Sequence, residues 1–473
     1  MNPQSVGPGF ESAAPERDLK RDNWELRCRL AEARHSLSQA RAEVDRMLHS
    51  RSWRATRLMR VGLDRVRELL RPRGVVPPPT LRSQSDFAPA AARGDEPLLL
   101  VDVTELAIEN LQGGIQHTVK GILSELLLAP PEGWRVAPVQ LTREGVYVSA
   151  SRDLEYLFGP FDDSFSGRHI SVRERDVFLG LDLLRDHSAV FRDALARLRG
   201  AGVQINVVVY DLLPIDLPHC VPEHISRSFA QWLDVVGDLA DGALCISQSV
   251  AHRFLRWMSA RSGRKAGITV DSFRLGVPNR GGQAPGRKVV QCDDSAKFLM
   301  VGTVEPRKGY VDALDAFDRI WIASPDSGIS LTIVGRYGWG LRDFLSRLEA
   351  HPELGRRLNW LRSATDDEVH DCYRSADGLL FCSYGEGFGL PIVEAAQHGL
   401  PMLLRDLPEF REVAGDGAFF FSEPGADGVE GALLDWLELR RQGAVPRPSA
   451  AVAITWEASA RELLGAVARV QRC

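Results

Sequence analysis

The sequence predicts an α/β protein of two Rossmann-like domains, each a parallel, doubly wound sheet with helices on both faces. Three observations carry that expectation. The apolar run Leu98 to Val103 is too short for a buried helix and reads as an interior parallel strand, and the strongly β-branched Val203 to Tyr210 reads as another strand of the same alternating series. Segments with helical spacing follow them, as crossover helices require. A stretch rich in Gly, Pro and polar residues, Pro278 to Ala296, then divides one alternating series from a second.

Composition narrows the class. A chain of 473 residues is about three typical domain lengths, and 44% apolar with 26% charged residues excludes collagen-like and wholly disordered proteins. Seven cysteines without a C-x-x-C pair point to neither a disulfide framework nor a zinc site, and a reducing cytosol fits best. The net charge of −5 gives no pull toward nucleic acid. No run of eighteen apolar residues and no apolar leader occur, so neither a membrane span nor a signal peptide is expected.

Taken in order, residues 1 to about 20 are polar with Pro and Gly, and a helical segment completes 1–71. Leu26, Leu30, Ala33, Leu37, Ala40, Val44 and Met47 alternate spacings of four and three. That seam predicts a coiled coil joining copies of the chain or recruiting a synthase complex, with a solvated amphipathic helix as the alternative. Between Arg46 and Arg73, nine Arg face only Asp64 and Glu68, a local +7. With Trp53 and an apolar stripe from Leu58 to Leu70, residues 51–71 read as a basic amphipathic helix, lying on an anionic bilayer or packed on the body. Pro72 and Pro77 to Pro79 open a stiff linker over 72–97.

The first folded domain is expected over 98–280. Its strands are Leu98 to Val103, Val177 to Leu181, Val203 to Tyr210 and Gly242 to Ser247; its helices are Ile115 to Leu128, Ser188 to Arg199, Ser226 to Leu239 and one from Gln248. The second, over 298–455, has strands at Phe298 to Gly302, Ser330 to Gly335, Leu358 to Leu361 and Gly378 to Phe381. Helices at Gly309 to Ile322, Leu341 to Leu348, Asp366 to Arg374 and Pro391 to His398 alternate with them, and 456–473 is a closing helix. Two such domains facing each other would border a cleft with the carboxyl ends of both sheets, where open α/β sheets bind ligands.

The most informative stretch is Ser383-Tyr-Gly-Glu-Gly-Phe-Gly-Leu-Pro-Ile-Val-Glu-Ala395. Gly385, Gly387 and Gly389 allow close backbone approach, Pro391 suits a helix start, and the free N–H groups of that start favour phosphate. Glu386 and Glu394 add acceptors for sugar hydroxyls, which phosphate alone does not call for. A Gly-rich turn with surface glutamates is the plainer reading. Val304-Glu-Pro-Arg-Lys-Gly309 places Arg307 and Lys308 at the carboxyl end of the first strand of the same domain. The chain uses six Lys against 52 Arg. A guanidinium fork beside an ammonium suits two phosphates, against the alternative of a surface basic pair.

The combination VGTVEPRKG, IVGRYGWG, YGEGFGLPIVEA and LPEFREVAGDGAFFF resembles the family 4 retaining glycosyltransferases of the GT-B fold, especially bacterial polysaccharide mannosyltransferases, over about residues 98 to 470. The resemblance implies that Arg307 and Lys308 hold the donor diphosphate and Glu394 the ribose. It gives Glu386 and the amides of Gly387, Phe388 and Gly389 to the transferred sugar, with Leu390 bordering the same donor. Gly113 and Gly114 match the glycine loop whose amides reach the diphosphate. Gly335, Tyr337 and Trp339 fall in the loop that borders the nucleoside, or simply pack. One position departs: where many relatives have His before Asp, this chain has Tyr210-Asp211. A tyrosine is no near-neutral acid or base, so no histidine role transfers. Asp211 contacts sugar or acceptor, or caps its loop.

No D-x-D pair occurs, so the usual carboxylate clamp for a divalent ion is missing and a metal-independent reaction without cofactor is expected. The expected function is hexosyl transfer, mannose from GDP-mannose first, onto a saccharide or lipid-linked saccharide such as growing O-antigen, at the inner face of the cytoplasmic membrane. A nucleotide-sugar epimerase or hydrolase and a non-catalytic scaffold remain the alternatives.

Overall fold

A computed structural model of the chain describes Leu26, Leu30 and residues 81–90, 94–108, 113–158, 167–261, 267–278 and 295–470. Leu26 and Leu30 are helical and exposed. The remainder of the heptad seam, the basic segment 51–71, the prolines of the linker up to residue 80 and the Gly/Pro-rich stretch 279–294 lie outside the described residues. No described helix is long and apolar enough to cross a membrane.

Strands β1 (Leu98–Asp102), β2 (Arg135–Leu141), β3 (Tyr147–Ser149), β4 (Val177–Gly180), β5 (Gln204–Val209), β6 (Gly242–Cys245) and β7 (Thr269–Ser272) form one sheet in the order β3-β2-β1-β4-β5-β6-β7. β1, β4 and β6 are buried along their whole length, as expected of interior parallel strands with apolar side chains on both faces. β3 pairs antiparallel with β2, Val139 facing Ser149 and Leu141 facing Tyr147, whereas β1–β2, β5–β6 and β6–β7 are parallel. β8 (Ala296–Val301), β9 (Ile329–Val334), β10 (Leu358–Leu361), β11 (Gly378–Phe381), β12 (Met402–Arg405) and β13 (Phe419–Phe421) form a second sheet, parallel throughout, in the order β10-β9-β8-β11-β12-β13.

Helices α1 (Gly114–Leu128), α2 (Ser188–Gly200), α3 (Glu223–Leu239) and α4 (Gln248–Ser259) link the first set of strands. The second sheet carries α5 (Tyr310–Ala323), α6 (Arg342–Glu349), α7 (Asp366–Ser375), α8 (Leu390–Gln397), α9 (Pro408–Ala414) and α10 (Gly425–Arg441), and α11 (Trp456–Arg469) closes the described chain. Local chemistry sets several of these boundaries. Ser247 caps α4 by accepting from Val250 N–H at 3.1 Å, and Thr365 with Glu368 forms a capping box on α7.

The chain divides into two compact units: one of Met1–Leu111, Leu123–Phe178 and Gly200–Val203, the other of Gln112–Ile122, Leu179–Arg199 and Gln204–Cys473. In the first, Asp102 ends β1 buried, accepting from Thr104 N–H at 3.0 Å and from the Tyr147 hydroxyl at 2.8 Å. Those bonds satisfy a carboxylate that an apolar strand end would otherwise leave costly. In the second, β8, α5 and α10 share an aromatic core. Phe298 meets Phe317 and Trp436 edge-on, with ring centroids 5.7 and 5.1 Å apart, each pair worth about 0.5–1.5 kcal/mol beyond its buried area.

Most expected elements lie within a residue or two of their observed bounds. The sequence reading contained no β2, β3, β7, β12 or β13, nor α9 and α10. Physical reasons are visible for three: β2 carries Arg135, Pro138 and Gln140 among its apolar residues, β7 is a polar, half-exposed strand, and β13 is only three residues long.

Candidate active site

The second unit holds all of the candidate residues, and the site's construction begins where β8 ends. Gly302 and Gly309 both take positive φ, at 139° and 70°, bracketing a loop whose last turn is Pro306–Lys308. A Cβ on Gly309 would lie 2.5 Å from Cys382 O, so only glycine lets this loop press on the end of β11. Tyr384 N–H then donates to Arg307 O at 2.8 Å, tying the loop to the Gly-rich stretch that follows β11.

The two cations converge on one carboxylate. Lys308 Nζ lies 2.5 Å and Arg307 Nη1 2.9 Å from Glu386 Oε1. Arg307 Nη2 is 2.7 Å from Glu305 Oε1, and Nη1 also donates to Gly385 O at 2.9 Å. Lys308 sits 5.2 Å above the Phe381 ring. Lys308, Glu386 and Glu305 are all buried, so the basic pair is not a surface feature.

Charge in so dry a site is set by neighbours. Burial raises the Glu386 carboxyl, but Arg307 and Lys308 outweigh it and hold the group at about 2, anionic at any working pH. Burial and then Arg307 depress the Lys308 ammonium against the pull of Glu386. Burial also lifts Glu305 above the usual carboxylate range, opposed by Arg307 and Lys308. Asp211 is raised by burial, with Arg307 opposing, and so lies in the same electrostatic neighbourhood.

Gly387 packs against the end of β5. A Cβ there would fall 2.0 Å from Tyr210 O and 3.2 Å from Asp211 Cβ, which explains the glycine without any positive φ. Asp211 itself accepts from Leu213 N–H at 3.0 Å, the loop-capping bond expected as one of its two readings. Tyr210 turns away: its buried hydroxyl donates to Leu181 O at 2.7 Å, and burial pushes the phenol far above its ordinary value. The residue at the usual histidine position is therefore a piece of core.

The remaining expected residues fall in two groups. Gly389 (φ 97°) precedes α8, with Leu390 first and Pro391 second in the helix, and the buried Tyr373 hydroxyl donates to Glu394 Oε2 at 2.5 Å. Gly113 and Gly114 open α1, where a Cβ on Gly114 would lie 3.9 Å from Leu390 Cδ1. Gly335 (φ 148°) brings the loop after β9 onto Gly302, and Tyr337 bridges Val304. Trp339, 39% exposed, donates from Nε1 to Cys220 O at 3.0 Å. His219 and His224 are exposed. Among the described residues no cluster of His, Cys, Asp and Glu has the arrangement of a metal site.

Sequence reasoning missed four participants. Glu305 and Glu409 stand inside quoted motifs but their burial was invisible; Glu409 accepts from Glu386 N–H at 3.0 Å and pairs with Arg253 at 2.5 Å. Arg253 and Ser247 lie on or beside α4, more than 130 positions from the loop they contact, and carried no local signal.

Comparison with known proteins places this geometry. The chain has the two-sheet GT-B architecture, as two solved structures show at the level of fold. The Anabaena protein Alr3699/HepE, solved in complex with UDP and glucose, is 14% identical with a TM-score of 0.54, over 78% of this chain and 99% of that one. Sucrose-phosphate synthase (tll1590) from Thermosynechococcus elongatus is 15% identical with a TM-score of 0.55, over 79% and 98%. Residues 287–449 match the glycosyl transferases group 1 family, and the chain carries a domain of that family. Serotype-specific mannosyltransferase WbdA of Escherichia coli is 35% identical over 377 residues, 77% of this chain and 46% of the relative. The chain spans about half the length of the curated relatives it matches at this level.

Proposed function

We propose that the chain is a retaining glycosyltransferase that moves mannose from GDP-mannose onto a growing bacterial surface polysaccharide such as O-antigen, without a metal ion. The convergence of Arg307 and Lys308 on Glu386, buried beside a glycine-lined helix start, is the observation that carries this reading. Two fixed cations and the amino end of α8 match the two negative charges of a nucleotide sugar's diphosphate. Likeness to WbdA, a mannosyltransferase, is the support for mannose.

The reaction follows from those groups. An incoming diphosphate competes with Glu386 for the two cations, which frees the carboxylate to accept hydrogen bonds from sugar hydroxyls. The acceptor hydroxyl oxygen then bonds to the anomeric carbon while the bond from that carbon to the diphosphate breaks. The departing phosphate oxygen, stabilised by Arg307 and Lys308, takes the hydroxyl proton, and attack from the leaving-group face retains configuration. Tyr210 takes no part.

A panel of nucleotide sugars tests the reading. GDP-mannose should raise the unfolding temperature, and go on raising it with the logarithm of its concentration above Kd, as a ligand bound only by the folded state does. It should also be consumed in proportion to a saccharide acceptor. Turnover that ignores the acceptor points instead to a hydrolase or epimerase, and no binding of any nucleotide sugar points to a scaffold. The basic run in 51–71 supports a peripheral seat on anionic membrane, so a chain lacking residues 1–75 should keep its turnover and lose liposome binding. Equal sedimentation with liposomes by both chains refutes that seat.

A further inference from the structure

We infer that Arg253 and Ser247 are positioning residues that aim the amides of Gly387 and Phe388 at the transferred sugar. This rests on the glycosyltransferase reading above and deepens it. Three consecutive carbonyls of the loop each accept from a side chain of a different origin. Gly385 O takes Arg307 Nη1 at 2.9 Å, Glu386 O takes Arg253 Nη2 at 3.2 Å, and Gly387 O takes the Ser247 hydroxyl at 2.8 Å. A trans peptide is planar, with its C=O and the following N–H antiparallel, so fixing one fixes the other. Arg253 thereby sets the direction of the Gly387 N–H, and Ser247 that of the Phe388 N–H. Among the described residues neither N–H has a hydrogen-bond partner, whereas the preceding one, Glu386 N–H, is taken by Glu409 at 3.0 Å.

The supports are themselves braced. Ser247 is 1% exposed and also caps α4, and Glu409, likewise 1% exposed, holds Arg253 Nη2 at 2.5 Å while Asp216 accepts from Nη1 at 3.3 Å. Glu412, one turn along α9 from Glu409, accepts from Gln248 N–H at 2.6 Å and Ser249 N–H at 2.9 Å, fixing α9 to the start of α4. Paired donors that are oriented before the reaction hold the sugar's hydroxyl oxygens, and with them the anomeric carbon, in the reacting geometry at no cost of reorganisation, so spoiling their aim lowers turnover more than it lowers binding of a nucleotide without the sugar.

The test uses the full chain with GDP-mannose as donor and GDP alone as a sugarless probe. Ser247→Ala should lower kcat by about tenfold, less than the roughly hundredfold or more of deleting a preoriented donor because the amide stays and only its aim is lost, and change the Kd for GDP by less than about twofold. Ser247→Thr, which keeps both the cap and the hydroxyl donor, should return kcat to within about threefold of wild type. Arg253→Lys, which keeps the charge but not the fork, should lose kcat in the same sense with GDP binding preserved. Wild-type kcat in Ser247→Ala overturns the inference, as does a parallel loss of kcat and GDP affinity that Ser247→Thr does not rescue. A wild-type chain that turns over no nucleotide sugar refutes the glycosyltransferase reading first, and this inference with it.

Discussion

Replacing Lys308 with Met separates the catalytic from the structural work of the buried cations. Methionine keeps an apolar stem over the Phe381 ring and deletes only the ammonium that stands 2.5 Å from Glu386 Oε1. A charge-assisted bond to a phosphate oxygen contributes about 1.5–3 kcal/mol, so kcat/KM should fall by roughly tenfold to 150-fold. Stability falls too, because breaking a buried pair strands a charge. The usual cost is about 3–5 kcal/mol, here an upper bound because Arg307 still lies 2.9 Å from the same oxygen. Adding Glu386→Gln to Lys308→Met removes the stranded charge, so the double variant should recover unfolding temperature without recovering turnover. Donor titrations with acceptor in excess, paired with thermal unfolding, measure both quantities. A single variant with kcat/KM within about twofold of wild type refutes the diphosphate role, since even the weakest bond in that range exceeds it.

Three further outcomes follow from the same site. Glu386 has a folded-state value of about 2, below the ordinary carboxylate, so its stabilisation is complete above about pH 4.5 and is lost as pH falls toward 2. Wild type should therefore lose stability between pH 5 and 3 more steeply than Glu386→Gln, and equal slopes in denaturant titrations contradict the pairing. Tyr210→Phe deletes a hydroxyl that among the described residues bonds Leu181 O, so it should cost about 1 kcal/mol of stability and leave kcat within about twofold; abolished turnover would return this position to the chemistry. Activity should survive excess chelator, and a strict need for manganese or magnesium would contradict the assignment of the diphosphate to side chains and α8 alone.

What was legible in the sequence were short-range patterns. Strands such as Leu98–Asp102 and Gln204–Val209 announced themselves because parallel interior strands are apolar on both faces, and their helices because an amphipathic stripe repeats every three to four residues. The loops bearing Arg307, Lys308, Glu386 and Glu394 were found because glycines and charges cluster at fixed spacing. Hidden were long-range pairings: Arg253 with Glu386 O, Ser247 with Gly387 O, and Tyr210 with Leu181 O are set by how β5, α4 and the loop after β11 pack, not by any local spacing. For Asp211 the capping reading was correct as far as its bond to Leu213 goes, while its proximity to Arg307 required the fold.

A crystal structure of the full chain with GDP-mannose tests the central claim most directly. Phosphate oxygens within about 3.2 Å of both Arg307 and Lys308, with Glu386 released to the sugar hydroxyls, are the predicted result. A nucleotide seated elsewhere, with Lys308 still closed on Glu386, contradicts it.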